Sequence, residues 1–410
     1  MHITNTPIPD GIKHRDAFVL SLMQALHLFG TPSHRLEQAM AGIARDLDMK
    51  LQILATPTSV TAAIGQLENQ RTYLLRVEPS EANLEKLGDL QSVMQQVSRG
   101  ELDYQSARNA IDTIVARPAR YGPLLLVAAF VIVAACVAQL FNGHGLDSLV
   151  AALLGGCIGT FAVVSAKRPR LAMLLPTLSA AFAAASARLI AEFLPQTHPI
   201  IVSLASLIVL IPGLGLTMGV NELAHRHLVS GTARMMGSLV VLLQLALGAA
   251  AGWGGVALLF TPFVSTPAAP PSWWSASIAI VLCAAAFTVL FQARKRDYLA
   301  VLLGGAIAFW ASRLGTTLFS PEFGAALGAW SIGCLSNILA RLRDRPALTT
   351  LLPGIILLVP GSLGFRSIQA MLQNEVVLGV EAAATTFMVA IALVIGLFLS
   401  NLTIAPRKIL

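Results

Sequence analysis

From Pro123 onward the chain is a succession of apolar runs of about twenty residues, each closed by a short turn. A helix of that length is what crosses the roughly 30 Å hydrocarbon core of a bilayer. The sequence is 55% hydrophobic and 12% charged, against about 25% charged in soluble proteins, so most of it is expected in lipid. The runs predict about ten spans, near Pro123–Phe141, Leu146–Ala166, Leu171–Leu194, His198–Val220, Thr232–Phe260, Trp273–Gln292, Asp297–Leu318, Glu322–Ala340, Ala347–Phe365 and Leu378–Leu402. The fold class expected is mainly α: a polytopic membrane protein behind a small N-terminal α+β domain.

Two of the runs are broken by a Pro-Gly pair, at Ile211-Pro212-Gly213 and at Val359-Pro360-Gly361. A helix interrupted inside a membrane leaves N–H and C=O groups that cost several kcal/mol each unless protein or a water-lined cavity satisfies them. In secondary transporters such freed ends bind the substrate or coupling ion near the midplane, and breaks at corresponding places in two halves mark that site. A packing kink is the plainer alternative.

Leu153-Leu154-Gly155-Gly156 recurs as Leu302-Leu303-Gly304-Gly305, and Pro212, Gly213, Gly231 and Gly248 recur, each 148 residues later, as Pro360, Gly361, Gly379 and Gly396. Five spans lie between equivalent positions, so the second copy would be inserted upside down. The organisation expected is 1–120 as a cytoplasmic domain, 121–260 as one five-helix repeat and 261–410 as the other. Chance recurrence of Gly and Leu in an apolar chain is the competing account.

Up to Arg120 there are 12 Lys/Arg against 13 Asp/Glu, and beyond it 16 against 8. The basic excess therefore belongs to membrane loops and to anionic lipid headgroups. The loops on one side carry 13 Lys/Arg, including Lys167, Arg168, Arg170, Arg294 and Arg341, and the other side only Arg366. Positive residues stay in the cytoplasm, so both termini are expected there. No apolar stretch opens the N-terminus, so no cleavable signal is expected. No Lys follows a Gly anywhere, which removes a phosphate-binding P-loop and disfavours a primary pump. No basic patch with interleaved aromatics suggests nucleic acid. Cys136, Cys157, Cys283 and Cys334 stand singly in apolar runs and read as packing residues.

In the N-terminal part, apolar periodicity predicts helices over 17–29 and 34–47, strands over 51–54, 58–64 and 72–77, and helices over 83–97 and 104–116. Ser33 is expected to cap the second helix, with Glu37 in its first turn. His27, Ser33, His34 and Asp46 also invite a hydrolase reading, but nothing fixes nucleophile, base and orienter together. A regulatory, gating or assembly role is expected for this domain, and no enzyme.

The runs GTPSHRLE (Gly30 to Glu37), ATPTSV (Ala55 to Val60), IPGLGLTMGVNELAHRHLVSGTAR (Ile211 to Arg234) and LVPGSLGF (Leu358 to Phe365) resemble those of the threonine/serine exporter family. The resemblance covers nearly the whole chain. In that family an acidic residue, usually Asp, follows the first Pro-Gly by about ten positions and a Ser-Gly-x-x-Arg motif closes the segment; here Glu222 stands in the acidic place, followed by Ser230, Gly231 and Arg234. It implies proton-driven export of small hydroxy amino acids across a bacterial inner membrane. Relatives with the halves on separate subunits are associated with dicarboxylates, and the same fold would also suit a passive channel.

Candidate substrate groups are the helix restarts at Pro212, Gly213, Pro360 and Gly361, whose N–H groups and positive dipole ends suit a carboxylate. Arg188, Arg313, Gln244 and Asn337 lie inside spans. For the arginines the alternative is snorkelling, and for the amides it is helix–helix adhesion. Glu222 is the candidate proton-coupling carboxylate, against a solvated loop residue. Glu222 and His225 are one turn apart but supply only half of a bundle metal site, so no metal or cofactor is expected. The partners implied are a small amino acid or carboxylate, protons and membrane lipid. A homo-oligomer is left open.

Overall fold

The computed structural model describes residues 13–78, 82–260, 272–343, 347–358, 361–372 and 376–405. Its N-terminal part contains α1 (His14–Leu28), α2 (Ser33–Asp46), an antiparallel meander of β1 (Leu51–Thr56), β2 (Ser59–Ile64) and β3 (Arg71–Arg76), then α3 (Leu84–Ser98) and α4 (Tyr104–Ala116). These follow the predicted elements to within a few residues.

Helix α1 is the core of this unit: Phe18, Val19, Leu22, Met23 and Leu26 are fully buried. It stops at Gly30, whose φ of +86° lets its N–H return to the His27 carbonyl at 3.1 Å, an arrangement that favours glycine. A two-residue turn joins β1 to β2, closed by the Thr56 hydroxyl donating to the Ser59 carbonyl at 3.1 Å. Asn83 and Asp103 cap α3 and α4 through their side chains, as short polar residues do at helix starts.

The remainder is helical: α5 (Pro123–Leu140), α6 (Gly145–Ser165), α7 (Pro169–Phe193), α8 (Pro199–Leu207), α9 (Gly213–Ala224), α10 (Leu228–Ala257), α11 (Trp273–Leu290), α12 (Tyr298–Leu318), α13 (Pro321–Arg343), α14 (Leu348–Leu358), α15 (Gly361–Leu372) and α16 (Val376–Thr403). Prolines open α5, α7 and α8, where the missing N–H has no partner to lose. Among the described residues nine stretches are long and apolar enough to cross a membrane. The expected run from His198 to Val220 is not one of them. It is divided into α8 and α9, of 9 and 12 residues, which at about 1.5 Å per residue are each too short to span alone. Large apolar side chains such as Leu124, Leu153, Met173 and Leu243 face outward, as a lipid-facing surface requires and a water-facing one avoids.

Helix α7 packs along α10, and α13 along α16. In the first pair Gly248 lies so close to Thr177 that a Cβ would collide with its carbonyl oxygen, and in the second Gly396 stands in the same relation to Ala326. Helix α9 packs on α10 and α15 on α16, while α9 also reaches α16 and α15 reaches α10. Cys136 and Cys283 are buried between α5 and α11, as packing residues; Cys157 is instead exposed, and the Cys334 thiol lies 3.1 Å from the Thr403 hydroxyl.

The N-terminal unit is seated on the helical part by its helix N-termini. At α3, the Leu84 and Glu85 N–H groups donate to the Phe291 and Gln292 carbonyls at 3.0 and 3.2 Å, so free N–H groups at one helix start meet carbonyls at the end of α11. The Tyr121 hydroxyl donates to the Ala293 carbonyl at 2.9 Å, and Arg120–Glu85 and Arg294–Asp89 ion pairs flank the contact.

Candidate functional site

The first break is a tight turn. Gly213 N–H donates back to the Ile211 carbonyl at 2.8 Å across Pro212, which has φ −78° and ψ 45°, close to an inverse γ-turn. Helix α9 restarts at Gly213 and α15 restarts at Gly361; Pro360 lies outside the described residues. The two restarts abut: a Cβ on Gly361 would lie 2.8 Å from Ile211 Cγ2 and 3.0 Å from Gly213 Cα. A Cβ this close would force the Ile211 side chain or the Gly213 backbone to shift, so the crossing favours glycine.

One turn further along α9 a cavity of 110 Å³ opens between the N-terminal unit and both sets of helices. Since about 10–15 Å³ of such space holds one water, it is large enough for several waters or one small solute. Arg35 and His34 enter it from the first turn of α2, Thr217 and Asn221 from α9, Asn337 from α13 and Asn401 from α16; leucines of α14 close one wall. The lining mixes apolar walls with a few polar groups, the usual make-up of a small-molecule site.

Below the cavity Glu222, fully buried on α9, joins three elements. Its Oε1 accepts the Ser33 N–H at 3.0 Å, its Oε2 accepts the Ser230 hydroxyl at 2.7 Å, and Arg234 donates to both oxygens at 3.1 and 3.2 Å. The Ser33 and Ser230 hydroxyls lie 2.7 Å apart. Helix α2 begins at Ser33 itself, with Pro32 at the N-cap and no side-chain cap of its own. Ser33 is therefore not the cap that the sequence suggested. Glu222 caps α2 from 189 residues away, placing a carboxylate at a positive helix end.

Two histidines next to this network, His34 and His225, are biased towards the neutral form. The ring of His34 stacks on that of His225 with centroids 4.4 Å apart, and Asn221 Nδ2 lies 3.4 Å from His34 Nε2. Burial first, then the charges of His225, Arg35, His227 and Arg234, push His34 down to about 2, because desolvation disfavours the imidazolium. Burial also lowers His225. Glu37 accepts the Ala55 N–H at 3.0 Å, and His27 Nε2 lies 3.2 Å from the Pro57 carbonyl. The GTPSHRLE, ATPTSV and NELAHRHLVSGTAR segments thus meet in one place. The Ser33 hydroxyl pairs with Ser230 rather than with a histidine.

The remaining candidates are scattered. Asn337 lines the cavity while donating to the Asn401 side chain at 3.0 Å and to the Ile404 carbonyl at 2.8 Å, so it also ties α13 to α16. Arg188 is fully buried on α7, paired with Glu192 and lying 5.7 Å from the centroid of the Trp253 ring. Gln244 is half-buried on α10, and Arg313 is exposed on α12; none of these three lines the cavity. Among the described residues no group of three or more His, Cys, Asp or Glu could hold a metal ion. Sequence reasoning missed Arg35, His34, Thr217 and Asn221 as one constellation. The available signal was that all four belong to the motif segments.

A family model described as "Putative threonine/serine exporter" matches residues 17–254, and a second, "Threonine/Serine exporter, ThrE", matches 276–403. Pheromone-regulated membrane protein 10 of Eremothecium gossypii is 26% identical over 96% of this chain and 56% of its own length. The Saccharomyces cerevisiae protein of that name is 26% identical over 91% of this chain and 49% of its own, and the Kluyveromyces lactis one 25% over 96% and 44%. The chain thus spans about half the length of these curated relatives. No solved structure matches significantly. Through the two family models, which together reach from the first helix to the last, this membrane protein belongs to the threonine/serine exporter family.

Proposed function

We propose that the chain is a secondary exporter of small hydroxy amino acids, threonine and serine, working by alternating access and driven by protons. In this reading ten spans form two inverted five-span copies, with both termini and the N-terminal domain on the cytoplasmic side of a bacterial inner membrane. The observation that carries it is the crossing of the two breaks, Gly361 against Gly213, beside a polar cavity lined from both halves. Transporters built from inverted repeats bind at such a crossing and rock one half against the other.

Equivalent contacts in the two halves support the repeat. Gly248 meets Thr177 as Gly396 meets Ala326. Gly219 abuts the Gly231 carbonyl, and 148 residues on the Ser367 hydroxyl donates to the Gly379 carbonyl at 2.6 Å. Lys167, Arg168, Arg294 and Arg341 fall in alternate loops of the sequence, which supports assigning those loops to the cytoplasm.

Glu222 is our proposed coupling group. Its carboxylate is held by Arg234, Ser230 and the start of α2; taking up a proton weakens all of these together, which would free α2 and open the cavity towards the cytoplasm. The test is purified protein in liposomes with an imposed pH gradient and labelled threonine. Uphill accumulation that collapses with the gradient supports coupled export, and Glu222→Gln in folded protein should abolish accumulation while leaving threonine exchange. Flux that is only downhill and indifferent to pH would instead make the chain a channel, and gradient-driven movement of succinate but not threonine would make it a dicarboxylate exporter.

A further inference from the structure

Arg35 is the only charged side chain, beside the neutral His34 and His225, among the described residues that line the cavity. It is partly buried in the first turn of α2, and burial lowers its guanidinium below the usual arginine range. Other arginines of the described residues are matched: Arg234 holds Glu222, Arg294 holds Asp89 and Arg188 holds Glu192. Arg35 has neither a hydrogen bond nor an ion pair among the described residues. None of its nitrogens is shut off from solvent, so the guanidinium faces the cavity with its donors free, and no carboxylate of the lining supplies its counter-charge.

Two more polar groups of the lining also lack a protein partner and, unlike Arg35, are fully buried. The Thr217 hydroxyl and His34 Nδ1 are buried with no hydrogen-bond partner, although their side chains are only 1% and 3% exposed. Buried polar groups without partners are rare and call for a water, ion or ligand to satisfy them. With Asn221 Nδ2 donating to His34 Nε2, the neutral ring keeps its proton on Nδ1. The site then offers a guanidinium, a ring N–H and a hydroxyl, with the amide oxygens of Asn221 and Asn401 across the cavity.

We propose that Arg35 of the N-terminal unit is the carboxylate-binding residue of the solute site, and that the site accepts a solute with one carboxylate. A guanidinium grips a carboxylate through two parallel hydrogen bonds. His34 Nδ1 and Thr217 Oγ1 supply the further donor and the hydroxyl partner. A second carboxylate would find no second cation in the lining, so the site disfavours dicarboxylates. The N-terminal unit is then part of the binding site rather than an appended regulator, and its departure takes the anion's partner with it. This inference rests on reading the cavity as the place where solute sits.

The test is binding to the purified full-length protein, by calorimetry, of L-threonine, of L-threoninamide, which lacks the carboxylate charge, and of succinate. Wild type should bind threonine at least 10-fold more tightly than threoninamide or succinate. Arg35→Gln should erase that preference, lowering threonine affinity 10- to 100-fold while changing threoninamide affinity less than 3-fold; Arg35→Lys should restore part of it. Thr217→Val, which leaves Arg35 in place, should weaken both threonine and threoninamide, and gel filtration confirms that each variant is folded. Threonine binding by Arg35→Gln at wild-type affinity overturns the Arg35 assignment and leaves the solute-site reading standing. Wild-type protein that binds none of the three overturns both.

Discussion

Glu222 receives four hydrogen bonds from three residues on two other helices, α2 and α10, so its removal strands a guanidinium, a hydroxyl and a helix start together. Breaking a buried ion pair from one side costs about 3–5 kcal/mol; with Arg234 a quarter exposed, Glu222→Ala is expected near the lower end, read as a lower thermal midpoint in detergent. His34 gives the same junction a pH dependence. Its folded value of about 2 lies below the ordinary 6.5, so the unfolded chain binds the proton first and stability rises with pH between those values. The contribution is complete above about pH 6.5 and is lost progressively as the pH falls below it. The groups facing this ring are His225, His227, Arg35 and Arg234, with Asn221 on Nε2. The thermal midpoint should fall between pH 7.5 and pH 5, and His34→Gln should flatten that fall; an unchanged slope would remove His34 as its source. Little of this was legible in the sequence. Ser33, Glu37 and Glu222 were visible as charged or capping residues, but pairing across 189 residues is set by the packing of distant elements, and no local spacing encodes it.

The elements were far more legible than their contacts. Apolar runs, opening prolines and turn residues dictate where helices begin and end, so α5 to α7 and the three strands lie where the pattern places them. The Pro-Gly break was legible for the same reason: proline removes a donor and glycine removes a side chain. What the pattern hid was that α8 and α9 are each too short to span alone, and that the two restarts touch. Contact between Gly361 and Gly213 leads to a sharp expectation. Gly361→Val places branched methyls against Ile211 and the Gly213 backbone, and overpacking of that kind costs about 1–3 kcal/mol or more. Transport should be lost with the protein still inserted, whereas Gly237→Ala, where a Cβ meets nothing within 4 Å, should be tolerated. Equal activity of both variants in the liposome assay would contradict a close crossing.

At the scale of the molecule, the N-terminal unit and the helical part form one interlocked body, tied at α2 by Glu222 and at α3 by the end of α11. Replacing Ser33 and Ser230, whose hydroxyls are 2.7 Å apart, with cysteine in a background lacking the native thiols should give a disulfide under mild oxidation. If α2 leaves during the cycle, the oxidised protein is inactive and reductant restores it; full activity when cross-linked would mean that the unit stays seated throughout. The central claim is that one cavity, entered from either side in turn, holds the solute. It is tested most directly by Thr217→Cys in that thiol-free background, reconstituted and exposed to a membrane-impermeant thiol reagent applied to one side and then the other. The account predicts labelling from both sides, in proportions that shift with the imposed pH gradient, and protection by threonine from each. Labelling from one side alone under every gradient, unaffected by threonine, would contradict it.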